Sequence, residues 1–268
     1  MMSKSVKNKM GLTGMSVLAF DDVKTVNFSR ERLYAFLSGL FAKEVDEEEL
    51  EAIIAAQPTM TSLASSLETQ EMGDGSKLLQ DFVDQVKLLK NGEKKGLITD
   101  LRAEYAALFL AVGMPYRGKA RHKGLLTCES AYLGKHGMYY DKPFSEVKDE
   151  YSKSGFEKRK DFLEPEDHIA IELDFMANLC RQTHLFLDQK NTQNALRYLK
   201  LQKEFLRDHL TRWVPDLCES MNEAAESKLY KSLAHLTNGF ISMEEQVVEE
   251  LAKTLETLPD NKTKHTAR

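Results

Sequence analysis

The chain has 268 residues, of which 42% are hydrophobic and 29% are charged, and its formal net charge is −5. This length can form one large domain or two small ones with a full core. The slight acidity gives no reason to expect nucleic-acid binding, and no apolar run reaches the roughly 18 residues of a membrane span.

The first 27 residues are predicted to form a flexible arm. Lys4, Lys7 and Lys9 precede a mildly apolar run at residues 10–20, which imitates a short export signal. The run contains two glycines and meets Asp21 without a small-x-small cleavage site, so we interpret it as an arm and not as a removable signal.

Helical periodicity continues through the rest of the chain, and no window alternates apolar with polar residues. Ser29 is the expected start of the first helix, Pro58 the end of the second, and residues 68–75 a polar loop. The apolar spacing predicts an all-α fold of about ten helices. They are expected near residues 29–41, 46–57, 60–67, 77–89, 97–112, 128–136, 145–154, 165–187, 191–213 and 224–256.

Residues 113–126 are the longest stretch without helical periodicity, and they are rich in glycine and basic residues. We predict a single all-α domain at residues 28–258, made of two halves joined by this linker, with a loose tail at 259–268. Hinge loops permit exchange of helices between chains, so a monomer and a domain-swapped dimer both remain open.

The segment Gly113–Lys119 fits the phosphate-binding pattern G-x-x-x-x-G-K, but Ala120 stands where the pattern requires Ser or Thr. It also follows a predicted helix, whereas a phosphate-binding loop follows a strand. Nucleotide hydrolysis is therefore disfavoured, and weak nucleotide binding is kept as an alternative.

The most informative stretch is residues 164–176. Pro165 suits a first helical position, Glu166 and Asp167 suit the first turn, and apolar residues from Ile169 onward supply a face to bury. We therefore expect an exposed polar cluster at the start of a core helix. Adjacent helical residues point about 100° apart, so Asp167 and His168 form no catalytic dyad, and helix capping is their alternative role.

Metal and catalytic sites are not predicted. His168 and Glu172 share a helix face but have no third ligand. The cysteines Cys128, Cys180 and Cys218 form no C-x-x-C pair, which favours free thiols in a reducing cytoplasm. Catalytic motifs of hydrolases and dinucleotide enzymes are missing as well, so we predict no enzyme and no cofactor.

The string from Glu164 to Met176 resembles the signature E-P-x-D-H-x-x-x-E-L-x-F-M of the TorD/DmsD-type chaperones, which mature bacterial molybdenum redox enzymes. Three weaker elements occur in the family's order, at residues 104–109, 129–132 and 205–215. The resemblance spans about residues 28–250. The basic loop departs from the family pattern, which is Pro-rich there.

The resemblance implies a TorD-like helical bundle that acts as a cytoplasmic chaperone. Its partner would be the precursor of a molybdopterin oxidoreductase, bound through its twin-arginine leader and as the apo-form, so that cofactor insertion and proofreading precede export. The alternative is a helical scaffold or regulatory module without leader specificity. The peptide-binding residues carried over are Tyr105, Leu108, Phe109, Tyr132, Pro165, Glu166, Asp167 and His168, and core packing is the competing interpretation for Leu108.

Overall fold

The computed structural model describes residues 19–67, 69–110, 125–135 and 140–257. Within these ranges the chain forms ten α-helices, one 3-10 turn and no strand, so the all-α prediction is confirmed. The elements are α1 (Phe20–Ala42), α2 (Glu47–Leu67), α3 (Gln70–Leu88), α4 (Asn91–Phe109), α5 (Glu129–Leu133), α6 (Lys142–Ser154), α7 (Ile169–Asp188), α8 (Thr192–Asp208), the 3-10 turn (Leu210–Arg212), α9 (Val214–Ala224) and α10 (Lys228–Thr257).

Helices from the beginning and the end of the chain pack against each other. Helix α1 lies along α7, and the long helix α10 contacts α3, α8 and α9. The buried apolar side chains of these helices form one continuous core. Trp213, Tyr34 and Tyr230 are its largest fully buried side chains.

Helix α1 begins nine residues earlier than predicted. Val23 and Val26 are buried in the core at helical spacing, which extends the apolar face back to Phe20. Ser29 is no cap; its hydroxyl donates to the carbonyl of Thr25 at 2.8 Å inside the helix. The predicted arm at residues 1–27 is therefore too long, because residues 20–27 belong to α1 and pack in the bundle.

Two predicted breaks between helices are wrong. Helix α2 continues through Pro58, because Met60 and Leu63 bury their side chains beyond it. Residues 70–75, predicted as loop, form the first turns of α3, and the Thr69 side chain caps them by accepting the N–H of Met72 at 3.2 Å. In both places tertiary packing outweighs weak local helix propensity.

Helices α3 and α10 approach closely at two glycines. A Cβ on Gly75 would lie 2.9 Å from the Leu236 side chain and from its backbone nitrogen. A Cβ on Gly239 would lie 3.0 Å from the backbone nitrogen of Met72. Helix α10 runs through Gly239 without a break.

Gly75→Ala is expected to lower the free energy of unfolding by about 1–3 kcal/mol, since the added methyl group meets backbone as well as side chain. Gly73→Ala is the matched control in the same helix, with nothing within 4 Å of its Cβ, and it should stabilise by about 0.5–1 kcal/mol. Urea denaturation of both variants measures the difference, and equal effects would contradict the close crossing.

A buried ion pair ties α1 to α10. Nε of Arg30 donates to a Glu244 carboxylate oxygen at 2.8 Å, and Nη1 donates to Oε1 of Gln202 on α8 at 2.7 Å. The Tyr34 hydroxyl donates to the same Glu244 carboxylate at 2.6 Å. Arg30 and Glu244 are both buried, so this pair depends on its hydrogen bonds to offset the loss of solvation.

Candidate functional site

The signature residues form a turn that precedes α7, and not the first turn of that helix. His168 is the N-cap, and its Nδ1 accepts the N–H of Ala170 at 3.2 Å. The N–H of His168 donates to the carbonyl of Pro165 at 3.1 Å, which closes the turn. The prediction that Pro165 is the first residue of the helix is therefore wrong. His168, three residues later, is the N-cap, and its imidazole accepts the capping hydrogen bond.

Residues 125–135, called the strap below, join the end of α4 to the start of α7. The N–H of Leu125 donates to the carbonyl of Leu108 at 2.6 Å. The carbonyl of Thr127 accepts the N–H of Ile169 at 2.8 Å. The end of α4 and the start of α7, which are far apart in sequence, are thus connected through one short segment.

Asp167 holds the strap with both its backbone and its side chain. Its carbonyl accepts the N–H of Glu129 at 2.9 Å, and its Oδ2 accepts the N–H of Ser130 at 2.8 Å. Asp167 is 0% exposed and His168 is 5% exposed. The expectation that both side chains are exposed is wrong, because the strap covers the turn.

The imidazole of His168 lies in an apolar setting, with the ring of Phe162 at 5.6 Å between centroids. Burial, with a smaller contribution from the positive charge of Lys158, lowers the pKa of His168 to about 3. The side chain is therefore neutral at physiological pH, and its role in the structure is to cap α7.

Behind the turn lies a buried polar cluster that links three of the four parts of the family resemblance, at residues 129–132, 164–176 and 205–215. An oxygen of Glu129 lies 2.9 Å from Nδ1 of His209, and Oε2 of Glu172 accepts the indole N–H of Trp213 at 3.2 Å. All four side chains are buried. Sequence reasoning missed this cluster, and the signal available was an acidic residue, Glu172, beside the apolar face of a core helix.

The aromatic part of the predicted site divides between core and partly exposed positions. Tyr105 and Leu108 are buried, and the Tyr105 hydroxyl donates to the carbonyl of Phe41 at 3.0 Å. This face of α4 packs into the core, which agrees with core packing as the competing interpretation for Leu108. Phe109 and Tyr132 are half-buried. Of these, Phe109 packs on the Tyr105 ring with centroids 4.9 Å apart.

Exposed apolar side chains border the strap and the turn. Leu110, which follows α4, is 47% exposed, Leu126 of the strap is 41% exposed, and Leu163 before the turn is 89% exposed. Glu164 is exposed and Glu166 is half-buried beside them in sequence. We call these five residues the leucine–glutamate surface.

Other predicted features fall outside the site or outside the described residues. The segment Gly113–Lys119 and all of the linker except Leu125 and Leu126 lie outside the described residues. In the part of the chain that the structure describes, no cluster of His, Cys, Asp and Glu has the arrangement of a metal site. No helix there is both long and apolar enough to cross a bilayer.

A family model described as "Nitrate reductase delta subunit" matches residues 68–219, more than half of the chain. The chain belongs to this TorD-like family. The match contains the strap, the turn and the buried cluster, so the TorD/DmsD resemblance is confirmed.

Curated relatives of this TorD-like chain carry the name "Chaperone protein TorD". The protein from Vibrio parahaemolyticus is 28% identical over 223 residues, which are 83% of this chain and 96% of the relative. The protein from Vibrio atlanticus is 28% identical over 84% of this chain and 97% of its own length. The protein from Photobacterium profundum is 28% identical over 81% of this chain and 93% of its own length. These relatives are named as chaperones and not as enzymes, and no solved structure matches the chain significantly.

Proposed function

We propose that this TorD-like protein is a cytoplasmic chaperone for the precursor of a molybdopterin oxidoreductase. It binds the twin-arginine leader and the apo-form of this client, assists cofactor insertion and delays export until insertion is complete. Membership of a family whose curated relatives are named chaperones supports this proposal. The observation that carries it is the exposed leucine–glutamate surface. Its residues come from the end of α4, the strap and the signature turn, and backbone hydrogen bonds connect these three segments.

The leucine–glutamate surface matches the chemistry of a twin-arginine leader, which has a basic head and an apolar body. Burying exposed leucines such as Leu110, Leu126 and Leu163 against the apolar body contributes up to about 1.5–3 kcal/mol each, before the cost of association. The carboxylates of Glu164 and Glu166 provide acceptors for the arginines in charge-assisted hydrogen bonds.

The predicted site residues then take different parts. Pro165, Glu166, Phe109 and Tyr132 are all half-buried, so each keeps part of its side chain open to a bound peptide. Asp167 and His168 act as positioning residues, since one holds the strap and the other caps α7. In this arrangement the buried pair affects the leader only through the shape of the turn.

Isothermal titration tests the proposal with a synthetic leader peptide that carries two arginines and an apolar segment. Leu163→Asp is expected to weaken binding by tenfold or more, about 1.4 kcal/mol, because it places a charge in the apolar contact. Leu88→Asp is the matched control, since Leu88 is 86% exposed but lies on α3, outside the leucine–glutamate surface.

The arginines are tested by a second peptide in which both are changed to glutamine. The proposal predicts weaker binding of this peptide, with the difference reduced in the Glu164→Gln variant. Equal affinity for both peptides would contradict leader specificity and favour the scaffold or regulatory alternative. Equal effects of Leu163→Asp and Leu88→Asp would place the binding surface elsewhere.

A further inference from the structure

Three carboxylates lie together in the buried cluster behind the signature turn. Glu129, Asp167 and Glu172 are each no more than 1% exposed. Among the described residues, the basic side chain in this cluster is the imidazole of His209, whose Nδ1 lies 2.9 Å from a carboxylate oxygen of Glu129. Oδ1 of Asp167 and Oε1 of Glu172 are buried without a hydrogen-bond donor within those residues. One imidazole cannot balance three buried negative charges.

We propose that Glu172 is held as a neutral carboxylic acid that donates its proton to the Glu129 carboxylate, and that loss of this proton releases the strap. The cluster would then be a proton-controlled latch. It joins α5, in the strap, to α7 and to the end of α8. The inference concerns the folded chain itself and does not depend on which client it binds.

The environment of Glu172 favours the protonated form. Burial raises the pKa of Glu172 well above its ordinary value, and the negative charges of Glu129 and Asp167 raise it further. A hydrogen bond with Glu129 acts in the same direction, while the indole N–H of Trp213 acts in the opposite one. Two carboxyl groups can share a hydrogen bond only when one of them carries a proton.

Apart from His209, which faces Glu129, the other titratable groups around Glu172 supply no compensating positive charge. They are Cys128 and Glu129 in the strap, Asp167 and His168 in the turn, and Tyr151 on α6. Burial raises the pKa of the Cys128 thiol and of the Tyr151 hydroxyl, so both remain neutral. Burial keeps His168 neutral as well.

Ionisation of Glu172 sends its proton to solvent and leaves two facing carboxylates. Their repulsion acts between α7 and the strap, whose hydrogen bonds to Asp167 and Ile169 then open more often. A folded-state pKa above the unfolded value means that the stabilisation is fully present below the ordinary pKa and is lost as pH rises through the folded pKa. Within that window each pH unit lowers the folding equilibrium constant by up to about tenfold.

Trp213 reports on this proton directly. It is the single tryptophan of the chain, it is fully buried, and its N–H donates to Glu172. A fluorescence titration upward from acidic pH is expected to show a transition in the unmodified protein that is missing in Glu172→Gln. Glu223→Gln, which makes the same chemical change at an exposed position of α9, should keep the transition. The same transition in Glu172→Gln would overturn the proposal.

Infrared spectroscopy of the unmodified protein covers the case in which Glu172→Gln does not fold. The proposal predicts the carbonyl band of a protonated carboxyl group at neutral pH, lost over the same pH range as the fluorescence transition. Amide hydrogen exchange of Glu129 and Ser130 should accelerate across that range by more than the intrinsic pH effect. Absence of the band, or strap amides whose protection does not follow it, would overturn the latch.

Discussion

Arg30→Ala is expected to lower the free energy of unfolding by about 3–5 kcal/mol, because it leaves the carboxylate of Glu244 buried without its cation. In the native chain the two side chains are 4% and 1% exposed, and the guanidinium also donates to Gln202. The loss removes a connection among α1, α8 and α10 together. Urea denaturation followed by far-ultraviolet circular dichroism measures the effect.

Arg181→Ala is the matched control for this prediction. Arg181 on α7 pairs with Glu31 on α1 at 3.0 Å, so this pair also anchors α1 to another helix, but the Arg181 side chain is 51% exposed. Solvent screening limits such a pair to about 0–1 kcal/mol. A double variant, Arg30→Met with Glu244→Leu, should recover most of the stability lost in Arg30→Ala, since it removes both buried charges. A loss below about 1 kcal/mol in Arg30→Ala would contradict the buried pair.

The second large effect is expected from Asp167→Ala. This change leaves the N–H of Ser130 without its acceptor in a buried position, which costs about 1–3 kcal/mol. Hydrogen exchange should show the loss first in the strap, and leader affinity should fall because the leucine–glutamate surface loses its support. Thermal unfolding and isothermal titration measure the two consequences separately.

Asp167→Asn separates the hydrogen bond from the charge. Asparagine keeps a side-chain carbonyl that can accept from Ser130 but removes the negative charge beside Glu172. We expect the strap to remain protected in Asp167→Asn and to open in Asp167→Ala. If the strap opens in both variants, the charge of Asp167 and not its hydrogen bond holds the strap; if it stays protected in both, neither does.

The existence of the helices could be predicted from sequence because their apolar spacing is strong. Their ends were less predictable, since packing decided them. Pro58 in α2 and the glycines at the start of α3 lower the local helix propensity. The chain is helical there nevertheless, because Met60 is buried in the core and Gly75 lies in close contact with α10. The sequence around Gly75 gives no sign of its partner helix, whose Ser232 donates to the Gly75 carbonyl from 157 residues later in the chain.

The polar segment before α7 could be recognised from sequence, but its burial could not. The string around Asp167 indicated the start of a core helix, yet the strap that buries Asp167 comes from 37 residues upstream through the N–H of Ser130. The pair of Arg30 and Glu244 spans 214 residues and leaves no local pattern. Periodicity shows which face of a helix is apolar, but it does not show which segment covers a polar residue.

Hydrogen–deuterium exchange of the whole chain, with and without the twin-arginine leader peptide, tests the central claim most directly. The account predicts new protection at the end of α4, in the strap and in residues 156–168, the segments that carry the leucine–glutamate surface. Leader binding that protects only other parts of the chain, such as the outer face of α10, would contradict it.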